Sequence, residues 1–416
     1  MEIRRDLYLN QLIDKQWNGQ IKVVTGIRRC GKSYLLFKMF VRYLVEQGVG
    51  EDHLIRLQLD DYKFISCRQP ENLYRYVTER IVDDGRYYVL IDEVRKADNF
   101  VDVLNGFLHI DNVDVYVTGS NSKFLSTDIA TEFGDRGDEI RLYPLTFSEF
   151  FSAFEGDAMA AWRSYSKYGG MPLIMQRDSP QAKEQYLKNL FQKVFIKDIV
   201  ERYGLRGNAE LNEVTNVLAS SIGSLVNPLR IANTIQTVKG KSISQNTVDK
   251  YLDYIEDSFL VSHAIRFDVK GRRYIGTPMK YYFTDIGLRN ARLNFRQQEE
   301  GHIMENVIYN ELLVRGFSVD VGVVETSAIN ENHHAVRRQT EVDFVANRGS
   351  QRLYIQSAME MTTSEKMQQE QLSLKNIDDS FRKILIQKDE VEPWYNDDGI
   401  LTISLFDFLL HPELLG

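Results

Sequence analysis

Residues 23–36 read VVTGIRRCGKSYLL: Gly26 and Gly31 flank four residues, and Lys32 and Ser33 follow directly. That is the G-x-x-x-x-G-K-[ST] spacing of a phosphate-binding loop. The glycines let the backbone of Gly26, Ile27, Arg28, Arg29, Cys30 and Gly31 curl, so that successive N–H groups face phosphate oxygens. Lys32 would reach the terminal phosphates, Ser33 would offer its hydroxyl to Mg2+, and Tyr34 lies in the first turn of the following helix. The expected ligand is ATP with Mg2+. Side chains between the glycines usually turn away from the ligand, so Arg28 and Arg29 are expected to meet a neighbouring surface. Cys30 is read as a small residue tolerated beside Gly31; its place at a helix N-terminus, which lowers a thiol pKa, makes oxidation that blocks ATP binding the second reading.

Two more places carry matching chemistry. The run YYVLIDE ends in Asp92 and Glu93. An aspartate at the carboxyl end of a buried strand can ligate the Mg2+ of a nucleotide. The glutamate beside it can orient and deprotonate the attacking water. The run VDVYVTGSNSKF brings Ser120 and Asn121 to the end of another strand, where a polar side chain could hold the γ-phosphate or the water. Ordinary turn chemistry is the other reading of Gly-Ser-Asn-Ser.

These residues need a scaffold. QIKVVTG, HLIRLQLD, YYVLIDE, VDVYVTGS and DEIRLYPL are near-continuous apolar runs separated by helical stretches. They predict an α/β fold with a parallel sheet covered on both faces, over residues 1–145. The pattern is helical over 146–207. Over 208–296 a short helix PLRIANTI, a longer helix capped by Ser244 and two β-rich arms around Gly271-Arg272-Arg273 follow the order of a winged helix. Residues 297–416 open on HIMENVIYNELLVRG, read as an amphipathic helix, and continue as a hairpin, EVDFVANRGSQRLYIQSAM, and two further strands.

The succession of Gly26-to-Ser33, Asp92-Glu93 and a strand ending Thr118-Gly119-Ser120-Asn121 resembles an AAA+ ATPase. YPLTFSEF, YGGMP (Tyr168 to Pro172) and FIKDIVERYGLR resemble, more narrowly, a prokaryotic group of such ATPases with a C-terminal domain of unknown function. The resemblance implies a P-loop core with a helical lid over 146–207, ATP hydrolysis, and homo-oligomers in which an arginine reaches a neighbour's γ-phosphate. Arg136, in ATEFGDRGDEIRL, is the candidate for that arginine. Asp135 and Asp138 beside it could instead pair with it at the surface.

The net charge of −8 argues against a chain that coats nucleic acid throughout, yet Arg230 to Arg296 holds 12 Lys/Arg against 6 Asp/Glu. A basic module in an acidic protein suggests a local polyanion contact. Lys250 on the longer helix and Lys270, Arg272 and Arg273 at the ribbon tip are the expected DNA contacts. A protein partner is the other use of such a module. No apolar run approaches the length of a membrane helix, and two cysteines without zinc-like spacing fit a reducing cytoplasm.

The C-terminal unit resembles a restriction-endonuclease-like domain. That resemblance implies a helix glutamate at Glu305, a strand aspartate at Asp343, and an acid-x-lysine on the next strand. Gln356 and Ala358 hold the last two positions instead. An amide is a poor Mg2+ ligand and alanine does no charge chemistry. The expectation is a catalytically silent nuclease fold, with Lys366 the nearest downstream lysine. A slow nucleotide-gated DNA switch and an ATP-dependent metal nuclease are the rival functions.

Overall fold

A computed structural model describes residues 3–119, 136–297, 299–329, 335–359 and 364–415, with backbone alone for 326–329, 335–338, 364–367 and 369. The chain divides into two compact units, Met1–Pro144 with Glu256–Phe259, and Leu145–Ile255 with Leu260–Gly416.

The first unit is built on five strands: β1 (Ile21–Thr25), β2 (Leu54–Gln58), β3 (Tyr87–Asp92), β4 (Val113–Thr118) and β5 (Gly137–Arg141). They lie in the order β2-β3-β4-β1-β5 and every pairing is parallel. β1 and β3 are buried along their whole length because helices cover both faces of the sheet. Ile21, Val23, Val89, Ile91, Val115 and Val117 pack one face into a continuous core. On β1 the intervening Lys22 is fully buried and ion-paired to Asp114, which also accepts the Tyr116 hydroxyl at 2.7 Å. A parallel sheet gathers all its carboxyl ends on one edge, and here β4 lies between β1 and β3. The phosphate loop, Asp92 and Thr118 therefore adjoin.

The second unit holds a nine-stranded sheet in the order β13-β14-β12-β11-β10-β9-β7-β8-β6. Its strands are β6 (Leu225–Val226), β7 (Val261–Asp268), β8 (Arg273–Phe283), β9 (Ser318–Ile329), β10 (Ala335–Arg348), β11 (Gln351–Ala358), β12 (Arg382–Gln387), β13 (Trp394–Tyr395) and β14 (Ile400–Ser404). The helices Ala209–Ser220, Pro228–Lys239 and Gln245–Asp257 precede the β7–β8 hairpin, and β6 pairs with β8. The outer edge of β7 pairs in parallel with β9, Arg266 opposite Val321. The expected boundary at 296 thus falls inside one continuous sheet, and neither 207 nor 296 separates compact units. The helix expected to be amphipathic, observed as Glu300–Val314, is instead buried on all sides, from Ile303 through Ile308 without a break.

The YGGMP turn acquires a structural role. Asp285 accepts the N–H of Gly170 at 2.7 Å and of Leu288 at 2.9 Å. Burial pushes this carboxyl up to about 6, and the N–H groups of Leu288, Gly170, Gly287 and Met171 hold it down. The turn and the helix Ile286–Arg292 meet so closely that a Cβ on Gly287 would stand 2.0 Å from the Tyr168 carbonyl oxygen. Gly287→Ala should therefore destabilise the protein by about 1–3 kcal/mol or more, read as a lower midpoint in thermal or urea unfolding.

Candidate nucleotide site

The phosphate loop leaves β1 at Gly26, whose φ of +134° and contacts both exclude a side chain: a Cβ there would stand 2.0 Å from the Leu142 carbonyl oxygen. The back of the loop thus rests on the chain leaving β5. Gly31 adopts φ +111° with open space around its Cβ position. Lys32 is buried, and its Nζ donates to the carbonyls of Gly26 at 2.9 Å and Ile27 at 3.1 Å, so the ammonium closes over the loop. Ser33 and Tyr34 are exposed at the start of the helix, and Ile27 is fully buried. This cradle fits a nucleotide's phosphates: glycines where the backbone must curl, an ammonium across them and a free hydroxyl beside it.

The residues between the glycines divide differently from expectation. Arg29 is exposed, with φ +68°. Arg28 is half-buried, and its charge lowers the Glu93 carboxyl. The second reading of Cys30, oxidation, is corrected by burial. Its thiol has no exposure and its Sγ lies 3.5 Å from the Leu142 carbonyl oxygen.

Arg5 supplies a contact that the motif did not signal. It is buried, and its guanidinium donates to the Cys30 carbonyl at 3.3 Å and the Tyr143 carbonyl at 2.7 Å. It clamps the loop to the chain beyond β5 from behind. A charged residue in Glu-Ile-Arg-Arg at a chain terminus reads as solvated, so only the tertiary contact reveals it.

Asp92 ends β3 and is buried. The Thr118 hydroxyl donates to its Oδ1 and accepts the backbone N–H of Glu93 at 2.9 Å. Glu93 itself adopts the left-handed region, φ 50° and ψ 49°. Burial raises its carboxyl above the usual 4.5, while Lys32 and Arg28 pull it back down. The phosphate loop, the acidic pair and Thr118 therefore converge on one edge. Asn121, with Ser120, lies outside the described residues.

Arg136 lies at the other edge. Its carbonyl accepts the N–H of Ile21 at 2.8 Å, at the first residue of β1. The five residues of β1 separate it from its own chain's phosphate loop, about 16 Å at roughly 3.3 Å per residue. Its guanidinium is exposed and bonds Asn105 at 3.3 Å, while Asp138, expected as its partner, pairs with Lys15.

The second unit gathers the other constellation. Glu305 and Asp343 come together with a lysine from the stretch expected to form a winged helix: Lys280 of β8. Its Nζ lies 2.8 Å from Glu305, 2.6 Å from Glu341 and 3.8 Å from Asp343. The Tyr282 hydroxyl donates to Glu305 at 2.7 Å, and the Ser357 hydroxyl to Asp343 at 2.7 Å. Gln356 accepts the Asp343 N–H at 3.3 Å. Burial works against the ammonium, but Glu305, Asp343 and Glu341 outweigh it and raise its pKa. Burial pushes Glu305 up to about 7 against the pull of Lys280. The side chain of Lys366 lies outside the described residues.

The twelve cations of 230–296 divide by burial: Lys280 and Arg289 are buried, Arg266 and Arg292 half-buried, and the other eight exposed. Arg289 is fully buried and donates to the carbonyls of Ala219 at 2.8 Å and Gln297 at 2.7 Å. Arg292 donates to the Asn212 carbonyl at 2.8 Å, and Arg273, expected at a DNA contact, pairs with Asp268 at 3.2 Å. Lys250, Lys270 and Arg272 remain exposed.

Residues 18–151 match a family described as AAA domain (AAA_14), and residues 159–299 match a domain of unknown function (DUF8612). An uncharacterized protein of Haemophilus influenzae is 33% identical over 414 residues, 98% of each chain. An uncharacterized protein of Methanocaldococcus jannaschii is 28% identical over 430 residues, 97% of this chain and 88% of its own. The chain belongs to the AAA+ family of P-loop ATPases, in a lineage that shares its full length between a bacterium and an archaeon. Among solved structures, the Aeropyrum pernix ORC1 protein in complex with DNA is similar over 71% of this chain and 93% of its own, at 11% identity and TM-score 0.30. PCH-2 of C. elegans is similar over 60% and 67%, at 14% identity and TM-score 0.27. Likeness at that level says nothing of partners. Among the described residues no helix is long and apolar enough to cross a membrane.

The Lys280 cluster has a measurable consequence. Removing the ammonium leaves Glu305, Glu341 and Asp343 facing one another with no compensating charge. Lys280→Met should cost about 3–5 kcal/mol of stability in denaturant unfolding, well beyond a surface lysine such as Lys250→Met.

Proposed function

We propose that this protein binds ATP with Mg2+ and hydrolyses it. The observation that carries the reading is the convergence of Lys32, Asp92 and Glu93 on one sheet edge, the two acids joined through Thr118. Lys32 would bind the β- and γ-phosphates, and the loop N–H groups from Ile27 to Gly31 would orient them. Ser33 and Asp92 would hold Mg2+, which supplies charge neutralisation when bound. Glu93 would accept the proton of the attacking water. The Thr118 bond fixes its backbone and leaves its carboxyl free, while Lys32 and Arg28 favour its ionised form. Arg136, far from its own loop, would reach a γ-phosphate only in a neighbouring subunit. Asn121 would serve as a γ-phosphate sensor.

In this reading residues 1–145 form the ATPase core and 146–207 the lid. The order helix, β6, helix, helix, β7, β8 supports a winged helix over 208–296, and residues 297–416 a nuclease-like fold. DNA would be met by Lys250, Lys270 and Arg272, without sequence specificity. The ammonium of Lys280 among the acids supports a domain kept for binding, without hydrolysis of nucleic acid. Two buried, unbridged cysteines fit a cytoplasmic protein.

Steady-state phosphate release tests the core of this. Glu93→Gln should lower kcat by about 10²–10⁴-fold while ATP still binds. Lys32→Ala should abolish binding as read by a fluorescent nucleotide. A wild-type rate equal to that of Glu93→Gln would leave a nucleotide-gated switch.

The raised Glu93 pKa sets the pH dependence. A base must be ionised, so kcat/KM should fall on the acid side at a pH above the ordinary glutamate value of 4.5. The residual activity of Glu93→Gln should lack that limb.

For DNA, Lys250→Ala and Arg272→Ala should each weaken binding to any duplex and reduce the slope of log K against log salt by about 1. Unchanged slopes in both would direct the module to a protein partner.

A further inference from the structure

β11, β12 and β14 run parallel, β11 opposite β12 and β12 opposite β14. The crevice beyond the carboxyl ends of parallel strands is where such sheets hold ligands. Here it opens into a cavity of about 460 Å3, within the range of small-molecule sites. Met359 and Lys388, the residues directly after β11 and β12, form one side of it.

The opposite wall comes from the helix Ala158–Tyr168. Met159, Trp162, Arg163, Ser166 and Lys167 follow the spacing of a single helix face, and all five line the cavity. Ile303 and Glu300, one turn apart on the helix Glu300–Val314, close the third side. The walls therefore sort by chemistry. Met159, Trp162, Ile303 and Met359 are apolar, and Arg163, Lys167 and Lys388 are cationic against the single carboxylate Glu300.

Those cations are not equally engaged. Lys388 pairs with Glu300 at 2.5 Å, and Lys167 with Glu184 at 3.2 Å. The guanidinium of Arg163 has no hydrogen-bond or ion-pair partner among the described residues. An apolar chamber with an uncommitted guanidinium at its rim and two further ammonium groups beside it suits one kind of occupant. We propose that this cavity is a second ligand site, separate from the nucleotide loop, for a small organic anion: a carboxylate, sulfonate or phosphate on an apolar or aromatic body. Its apolar part would lie against Met159, Ile303 and Met359, and its anionic group would take the fork of Arg163. None of these residues is given a role in holding the nucleotide, Mg2+ or the attacking water, so the proposal stands apart from the hydrolytic reading.

The probe is 8-anilinonaphthalene-1-sulfonate, an aromatic sulfonate, titrated into the full chain and into Lys32→Ala, whose nucleotide loop is disabled. Both should show one saturable site per chain with energy transfer from Trp162. Trp162→Phe should remove most of that transfer while the dye still binds. Arg163→Glu should weaken binding tenfold or more, and Arg163→Lys much less. Met359→Trp, which fills the chamber without touching a charge, should weaken it similarly at an unchanged melting midpoint. Absent binding, many unsaturable sites, or one site untouched by both Arg163→Glu and Met359→Trp would overturn the proposal.

Discussion

The Thr118 hydroxyl bonds two neighbours at once, giving its proton to Asp92 and accepting the backbone N–H of Glu93. It can do so because β4 is inserted between β1 and β3, which places its last residue beside both the phosphate loop and the acidic pair. Asp92 is buried and would be costly as an isolated charge; the hydroxyl satisfies one of its oxygens and holds it in place. The same bond fixes Glu93 in a left-handed conformation that a glutamate seldom adopts. Behind the loop, Gly26 and Arg5 press it onto the chain leaving β5. The loop is thus held from behind by Arg5 and the chain leaving β5, and the acids in front of it by the end of β4.

The second unit shows the same economy of charge in another form. Four ionisable groups share one buried locus, and an ammonium stands amid three carboxylates. Three carboxylates brought this close need a compensating cation. Here the chain supplies the cation itself, from β8, and in doing so ties the hairpin to the helix Glu300–Val314 and to β10. Hairpin and C-terminal strands accordingly share one sheet. Between 230 and 296 only Lys280, Arg289, Arg266 and Arg292 are drawn inward, and the other eight of the twelve cations stay at the surface.

Much of the nucleotide site was legible because its chemistry is local. Gly26 to Ser33 are consecutive, and their spacing encodes the backbone curl. Asp92 and Glu93 were legible because an apolar run ending in two acids has few other meanings beside such a loop. Thr118 was passed over for Ser120 and Asn121, since a hydroxyl at a strand end carries no signal until the strand's neighbours are known. Arg5 and Lys280 were missed for a related reason: a basic residue reads as solvated unless its long-range partners are visible. The amphipathic reading of the helix beginning at Glu300 failed because Glu305, Asn306 and Glu311 look solvent-facing yet are buried through specific bonds.

The sequence by itself determined the strands of the first unit, the phosphate loop and the acids at the end of β3, because these depend on residue type, spacing and periodicity within short windows. Only the tertiary structure decided the strand order, the Thr118 bridge, the clamp by Arg5, the seat of Lys280 and the union of hairpin with C-terminal sheet. Each of these joins residues from about 25 to about 140 positions apart. Such pairings are set by the packing of whole elements and by the need to satisfy buried charge, and no local pattern encodes them.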